Sequence, residues 1–487
     1  MADDSKMDKL NRLIKEGVTP YPYSYKTTHK SSHITSHYSE LEGKQVSVAG
    51  RVMARRGMGK LSFLDVFDSA GRIQVLVRAD SADESSMKLL EFLDTGDIIG
   101  AEGTVVKTKK GEITVEAKRI TMLAKSLRTL PEKFHGLTDT ELRYRKRYLD
   151  LMVNQNVRNF LSTRAAILKY FRDFLDSEGY TEFETPVLQP TYGGANAKPF
   201  TTEYAALNTK VYLRISDELY LKRLIIGGFD KVYEVSKDFR NEDIDSTHNP
   251  EFTQIEFYEA YKDYEDFMKL TERMVSGLVK KLFGSYKITY QGREVDFTPP
   301  FKRVYWVDEL KKKTGIDITE MTDAEAALIA KKEGLETDIK NAYHVSDSLF
   351  DKYVKPDLWN PAFVVDFPAY MCPLTKDKRG NPKLSERFEF FIAGKEVGNC
   401  YSELTDPIEQ RKKFEAQDSA RKKGDYEMPP SDTDFLEAIE YGMPPTAGMG
   451  ISIDRPAMIL TDTASIKEVI AFPAVKPEKP EKKEKEK

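Results

Sequence analysis

The chain has 487 residues, with 75 Lys and Arg against 79 Asp and Glu, a formal net charge of −4. At about 150 residues per domain this length predicts roughly two to four domains, and 40% hydrophobic with 32% charged residues is a soluble globular balance with material for a large core. Two cysteines, Cys372 and Cys400, exclude a disulfide scaffold and a Cys-rich zinc site; no apolar run nears the roughly 18–20 residues of a membrane span. The start MADDSKMDKLNRL carries both charge signs and does not read as a signal peptide, so a reducing cytoplasm is the expected compartment.

Residues 1–44 read as an N-terminal extension, a short helix followed by a loop rich in Ser, Thr, His and Tyr. His29, His33 and His37 recur at i, i+4 and i+8, a spacing that places a metal face on a helix. The intervening Ser and Thr and the lack of carboxylate or Cys partners argue against a metal there. From 45 to 127 the pattern changes to strands at 45–56, 60–68, 72–79, 97–107 and 111–123, with a helix at 84–93 between the third and fourth. That order is the order of a five-stranded OB-fold β-barrel. Ile73, Val75 and Val77 form one apolar face, leaving Arg72, Gln74, Leu76 and Arg78 on the other. Phe63 and Phe67 share a face that alternation alone leaves open as core or outside. Were it outside, beside Gln74 and Arg72, it would suit stacking and edge-reading of unpaired bases.

Residues 128–150 are a basic linker holding the island Arg143–Arg147 (RYRKR); a second island, KTKK, lies at 107–110. Most such runs are solvated faces. From about 151 a larger domain begins. Val157, Phe160, Leu161, Ile167, Leu168, Phe171, Phe174 and Leu175 make a helix-period stripe, stopped by Gly179. Strand-like pieces follow at 181–188, 210–216, 231–240, 252–261, 363–368, 386–392, 395–403 and 449–454, with helical segments at 263–283 and 322–350. Strands and helices segregate, which predicts an α+β domain with an antiparallel sheet flanked by helices over 151–476. Residues 477–487, all Lys, Glu and Pro, have nothing to bury and read as a disordered tail.

Neither a G-x-x-x-x-G-K-[ST] phosphate loop, nor G-x-G-x-x-G after a strand, nor G-x-S-x-G, nor H-E-x-x-H occurs. Any nucleotide chemistry therefore proceeds without a Gly-rich cradle. Three segments carry chemistry instead. The first is GYTEFETPVLQP at 179–190, containing Pro186. The second, 232–261, reads as strand, polar loop and strand, with Arg240 ending the incoming strand and Phe252, Gln254, Glu256 and Tyr258 on one face of the return strand. The third, 448–473, is Gly-rich and leads into Arg455 and Pro456. Just before it, 386–403 pairs two strands whose Glu389 and Glu396 converge on a hard cation such as Mg2+. Glu396 and Glu403 have opposite strand parity, so both face one pocket only if a bulge lies near Gly398.

F-R-N-E at 239–242, H-N-P-E-F-T at 248–253 and G-x-G-x-x-x-D-R at 448–455 resemble motifs 2 and 3 of class II aminoacyl-tRNA synthetases, with motif 1 around Pro186. Over residues 10–476 the chain is similar to class II lysyl-tRNA synthetases, the subclass with an N-terminal OB-fold that also holds the Asp and Asn enzymes. The resemblance implies a homodimeric, Mg2+-dependent ligase that joins L-lysine to tRNA(Lys) through a lysyl-adenylate, with no membrane attachment. It implies Arg240 on the α-phosphate and Arg455 on the γ-phosphate of ATP, Phe252 stacked on adenine, Glu242 at its exocyclic amine, His248 and Asn249 ordering the loop, and Glu389 and Glu396 on Mg2+. For lysine it implies Gly194 and Glu218 at the α-amino group, Asn399 near the carboxylate, Glu256 and Glu403 at the side-chain ammonium, Tyr258 and Tyr401 along the methylene stem, and Gly450 in the pocket floor. For the anticodon it implies Phe63 stacking and Arg56, Gln74 and Glu112 reading or positioning bases, a U-rich triplet being expected. The island RYRKR would sit near the tRNA.

Against the family pattern, Ser452 replaces Gly, Cys400 a small residue beside the lysine pocket, Pro456 an apolar one, and Met371-Cys372 stand where Ser usually precedes Pro373. Three rival readings follow: an aspartyl- or asparaginyl-type enzyme, opposed by the acidic pocket; the paralogue that modifies elongation factor P, opposed by the anticodon domain; and a non-catalytic tRNA-binding protein, opposed by the intact Arg240, Glu389, Glu396 and Arg455.

Overall fold

A computed structural model describes residues 3–131, 137–335, 341–422 and 428–478, in two compact units, Met1–Gly136 and Leu137–Lys487. Most of the expected tail, 479–487, lies outside the described residues.

In the first unit the strands are β1 (Gln45–Met58), β2 (Leu61–Phe67), β3 (Arg72–Arg78), β4 (Ile98–Lys107) and β5 (Ile113–Ala124). The helix Glu84–Phe92 sits between β3 and β4, its first turn capped by the Asp83 carboxylate, which accepts from the Ser86 amide. The strands are hydrogen-bonded in the cyclic order β1-β2-β3-β5-β4, a closed barrel. Period-two alternation sends Val46, Val48, Leu64, Val66, Ile73, Val75, Val77 and Val115 inward. Leu13, Ile34 and Leu41 of the N-terminal helices join that core, and the Lys6 ammonium donates to the carbonyls of Thr95 and Arg128 at 3.2 and 3.1 Å. The division expected at 44/45 is therefore not a division of packing.

In the second unit the strands are β6 (Thr181–Glu182), β7 (Leu188–Gln189), β8 (Thr201–Tyr204), β9 (Thr209–Leu213), β10 (Lys231–Phe239), β11 (Glu251–Ala260), β12 (Lys287–Tyr290), β13 (Arg293–Asp296), β14 (Lys302–Tyr305), β15 (Ala362–Pro368), β16 (Asp377–Lys378), β17 (Asn381–Ile392), β18 (Lys395–Ser402) and β19 (Thr446–Ser452). A nine-stranded sheet runs β14-β15-β17-β18-β19-β11-β10-β6, with β16 added on β17. One face, carrying Phe257, Phe388, Phe390, Cys400, Met449 and Ile451, packs against the helices Gln155–Ser177 and Tyr264–Phe283 in a single apolar cluster. The opposite face is left for chemistry.

The fold-class expectation needs correcting at the barrel, not at the large sheet. The second unit's sheet is antiparallel and helix-flanked as expected, with parallel pairing only at its two edges, β6 with β10 and β14 with β15; the barrel is not an all-antiparallel one, since β3 pairs with β5 in parallel. Nor is the barrel an uninterrupted cylinder of ladders. Register shifts break β1–β2 between Val52 and Ala54 and β4–β5 at two places, and the closing β3–β5 seam is only the run from Gln74↔Thr114 to Val77↔Ala117. Adjacency in sequence favours antiparallel hairpins, so pairings between distant strands leave no mark in the alternation. The helical stretch expected at 322–350 holds two helices, Asp323–Glu333 and Ala342–Tyr353. The strand expected at 181–188 reduces to β6 and the first residue of β7, because Pro186 removes a ladder donor between them.

The island RYRKR folds inward at two positions rather than presenting a basic surface. Arg143 pairs with Asp150 at 2.9 Å and Glu468 at 2.7 Å, and fully buried Arg147 pairs with Asp150 at 2.8 Å.

Candidate active site

Four neighbouring strands build the site through register. Glu389 (β17), Asn399 (β18), Gly450 (β19) and Glu256 (β11) lie in one row across the sheet; two residues along lie Arg387, Tyr401, Gly448 and Tyr258. The even spacing turns all of these to the face opposite the apolar cluster. The bulge needed near Gly398 is present: the β17–β18 register slips between Phe390↔Gly398 and Phe391↔Glu396, leaving Val397 unpaired. Gly448 has to be Gly here, since a Cβ would run into the Tyr258 ring and the Glu403 carboxylate. Gly194 approaches from a loop at φ +86°, and a Cβ there would meet Ser216 Oγ at 2.8 Å.

The resulting cavity holds about 750 Å3 and is lined by every catalytic-domain residue assigned from sequence to ATP, lysine or metal except Glu403. Within it Arg240 Cζ lies 5.0 Å from the centroid of the Phe252 ring, and the buried Arg240 Nε has no hydrogen-bond partner. Arg455 Nη1 donates to the Glu396 carbonyl at 2.6 Å, with the Glu396 carboxylate at 3.6 Å, and Nη2 stands 3.3 Å from His248 Nε2. His248 Nδ1 meets Asp245 at 2.8 Å. Burial pushes Asp245 up, but hydrogen bonds from His248 and Thr247 outweigh it and hold the carboxyl well below the usual range. Asn249 ties the loop down, donating to the Glu251 carbonyl at 2.6 Å and accepting from the Ala474 amide at 3.1 Å. Glu242 accepts from the Lys198 amide at 3.3 Å.

Buried acids form another part of the site. Glu256 accepts from Ser216 Oγ at 2.9 Å, Gln254 Nε2 at 2.6 Å and Tyr258 Oη at 3.0 Å. Beneath it Asp217 and Asp238 bring carboxylate oxygens within 4.8 Å of Glu256 and of each other. Burial first, then the charges of Asp238 and Glu218, pushes Glu256 up to about 7. Arg214, itself 3% exposed, offsets part of this charge by pairing with Glu234 at 2.6 Å and Asp238 at 3.3 Å. Glu218 lines the cavity, whereas Glu403 does not. Both are paired to the fully buried ammonium of Lys222, Glu218 at 2.6 Å and Glu403 closer still.

Glu389 is held by Arg387 at 2.5 Å, and Arg387 also donates to Asn399 Oδ1 at 3.1 Å and stacks on Phe367 and Tyr401. Asn399 Nδ2 in turn donates to Tyr401 Oη at 2.6 Å. Burial pushes Glu389 up to about 8, with Arg387 opposing and Glu396 and Asp347 adding to the rise. Two repelling carboxylates on adjacent strands are a donor set that fits a hard divalent cation. Several side chains here were not named from sequence, Arg387, Lys222 and Asp347 among them. Arg387 is two residues before Glu389 on the same strand face, Lys222 is one helical turn after Glu218, and Asp347 comes from the helix Ala342–Tyr353, which lines the cavity from distant sequence. The first two spacings were visible; the third has no local signal.

Of the residues that depart from the family pattern, Ser452 Oγ accepts from the Arg455 amide at 3.2 Å, in the first turn of the short helix that carries Arg455. Cys400 is fully buried on the helix side of the sheet, facing away from the cavity. Cys372 Sγ receives the Ser385 hydroxyl at 3.1 Å and the Arg387 guanidinium at 3.6 Å.

In the first unit, Phe63 is absent from the barrel core, whereas its neighbours Leu64 and Val66 are in it, so Phe63 faces outward directly opposite Arg56. The same outer face carries a charged chain from Arg56 through Asp65 (3.3 Å) and Arg72 (2.9 Å) to Glu112 (3.0 Å). Beside it Thr114 donates to Gln74 at 3.0 Å. Asp65 and Thr114 were not singled out from sequence, though period two from Phe63 and pairing with Gln74 place them there. The His33 and His37 rings stack at 4.4 Å, but among the described residues the three-ligand carboxylate, His or Cys cluster is the acidic one under Glu256.

Comparison with known proteins bears on both units. Residues 139–476 match the family described as tRNA synthetases class II (D, K and N), and residues 46–123 match the OB-fold nucleic acid binding domain. A lysine–tRNA ligase of Clostridium acetobutylicum is 49% identical over 97% of this chain and 93% of its own. That of Clostridium novyi is 48% identical over 97% and 94%, and that of Pelotomaculum thermopropionicum 47% over the same shares. With a family match over most of its length and relatives at this identity from end to end, the chain belongs to the class II lysyl-tRNA synthetases.

Proposed function

We propose that the cavity activates L-lysine with ATP, forming lysyl-adenylate and pyrophosphate, and that the lysyl group then passes to the 3′ end of tRNA(Lys) with release of AMP. The observation that carries the substrate is the pair of buried acids Glu218 and Glu256, with Glu403 behind Gly448, in a cavity that Arg240 and Arg455 also line. A side-chain ammonium fits carboxylates through charge-assisted hydrogen bonds; an aspartate side chain would be repelled.

The lysine carboxylate is ionised at neutral pH, so its oxygen attacks the α-phosphorus without a general base, and the bond to pyrophosphate breaks in line. Catalysis is positioning and charge stabilisation. Arg240 now covers the Phe252 face on which adenine would stack, so nucleotide entry swings the guanidinium off the ring and toward the α-phosphate. Arg455, held by Glu396 and His248, is preset for the γ-phosphate, with Glu242 at the adenine amine and Asn249 fixing the loop. Mg2+ held by Glu389 and Glu396 would neutralise triphosphate charge. Gly194 and Glu218 receive the α-amino group, Glu256 and Glu403 the side-chain ammonium, Tyr258 and Tyr401 flank the stem over Gly450, and Asn399, fixed by Arg387, faces the carboxylate.

In the first unit, outward-facing Phe63 stacks an anticodon base, with Arg56, Gln74 and Glu112 positioning its neighbours. Exposed Val187, Leu188, Tyr204, Leu207 and Phe229, clustered in sequence around motif 1, support a homodimer built on that region. No helix among the described residues is long and apolar enough to cross a membrane, and we assign the protein to the cytoplasm.

The test is ATP–pyrophosphate exchange with each of the twenty amino acids. Exchange with lysine alone is expected. Exchange driven by aspartate or asparagine would refute the acidic-pocket argument, and silence with all twenty would refute catalysis.

A further inference from the structure

The two carboxylates assigned to opposite ends of the substrate are joined by one buried cation. Lys222 lies one turn along the helix Glu218–Ile226 from Glu218, and its ammonium is 2.6 Å from Glu218 Oε1. On its other side it meets Glu403 Oε2 in a closer contact. Lys222 and Glu403 have no exposed surface and Glu218 has 5%. The ring of Phe435 closes the site at 5.9 Å from the ammonium. Glu403 Oε1 has no hydrogen-bond partner, and a Cβ on Gly448, in the cavity floor, would touch it. The missing side chain at 448 therefore lets the Tyr258 ring and this carboxylate oxygen pack directly against the bare backbone of the cavity floor.

We propose that Lys222 is a positioning residue for substrate length: by holding Glu218 and Glu403 on a single ammonium it fixes the distance between the group that takes the α-amine and the group that takes the side-chain ammonium. The inference rests on the assignment of those two residues to lysine. A carboxylate with only water or a proton for a partner would be free to change rotamer. One pinned through Oε2, with Oε1 left for the substrate, presents its free oxygen at one place. The charged groups around this pair are Glu256 and Tyr258 on β11, Asp217 beside Glu218, and Lys222 itself; Glu218 and Glu256 push Glu403 up toward protonation after burial, and Lys222 opposes them. Removing the ammonium would thus cost Glu403 its fixed geometry and push it further toward the protonated form.

A diamino acid shorter by one methylene tests this. Lysine and ornithine exchange are measured for the natural protein, Lys222→Met, which keeps length and burial, and Lys222→Gln, which keeps a donor without the charge. For Lys222→Met a lysine KM at least tenfold higher is expected, with ATP KM within twofold and the ratio of lysine to ornithine kcat/KM reduced at least fivefold. Lys222→Gln should fall between. A merely structural role would lower kcat and raise ATP KM together and leave the ratio alone; that outcome overturns the proposal. So does failure of both variants to melt cooperatively, which makes Lys222 a folding residue. An unchanged lysine KM in a folded variant also overturns it. Absence of lysine exchange in the natural protein would instead overturn the functional reading beneath it.

Discussion

Glu256→Gln should make the protein more heat-stable at alkaline pH while weakening lysine. The carboxylate is buried at 5% exposure, faces Asp217 and Asp238 within 4.8 Å, and is pushed from 4.5 up to about 7 by burial and then by like charge. A folded-state pKa above the unfolded one means the folded protein prefers the neutral acid. The penalty is absent below about pH 4.5 and grows until pH passes about 7. At about 1.4 kcal/mol per pKa unit its full size is roughly 3 kcal/mol, shared with the two carboxyls that titrate against it. Glutamine removes the charge yet keeps one oxygen for Ser216 and Gln254, and its amide turns toward Tyr258, a rearrangement costing about 1 kcal/mol. The net gain at pH 8.5 is about 1–2 kcal/mol, a Tm rise of roughly 2–5 °C, against no gain at pH 5. Lysine loses a charge-assisted partner worth about 1.5–3 kcal/mol, so its KM rises roughly 10- to 100-fold, with ATP KM unchanged. Thermal melting at both pH values and pyrophosphate exchange read the two effects. A Tm that falls further at pH 8.5 than at pH 5 would refute the repulsion argument, and an unchanged lysine KM would refute the assignment of Glu256.

Lysine binding should release protons near pH 7, because an incoming ammonium favours the ionised forms of Glu256 and Glu403, which rest at about 7 and about 8; calorimetry in buffers of different ionisation enthalpy counts them, and a buffer-independent enthalpy would contradict it. Gly448→Ala should raise lysine KM more than tenfold and leave ATP KM alone, since the new methyl meets Tyr258 and Glu403; equal effects on both substrates would mean the sheet itself has shifted. Arg240→Ala should cut pyrophosphate exchange at least about 100-fold in a protein that still melts cooperatively, and normal exchange would dispose of the phosphate assignment. Phe63→Ala should preserve exchange but raise the tRNA KM in aminoacylation by roughly 10-fold, from about 1–3 kcal/mol of base stacking; loss of both activities would mean the ring supports the barrel.

Legibility in the sequence followed the range of the forces involved. The barrel strands were readable to within a few residues because alternation of Ile73, Val75 and Val77 is a local record of one buried face. The long helix Gln155–Ser177 announced itself by its stripe in the same way. The helices Trp306–Thr314, Pro407–Lys422 and Thr433–Glu440 went unread, Pro407–Lys422 because charged residues dominate what little apolar period it has. At the site, the row Glu389–Asn399–Gly450–Glu256 could be anticipated strand by strand but not assembled, since register between β18 and β19 joins residues about fifty positions apart. Charge pairing was hidden for the same reason: that Glu403 would be engaged by Lys222, and Glu389 by Arg387, depends on which carboxylates burial leaves without water. The resemblance to a family located these residues; it did not say that each acid arrives already carrying a partner.

Glycine at both 448 and 450 leaves one strand in the middle of a nine-stranded sheet bare on the substrate side. A floor made of peptide groups has no rotamers to sort through and nothing to freeze when a ligand lands on it. The ordering cost of recognition then falls on the walls supplied by the neighbouring strands and on the flexible stem of the ligand itself. A change of amino-acid preference in this scaffold would have to come from those walls, because any side chain added to the floor fills the space that the substrate needs.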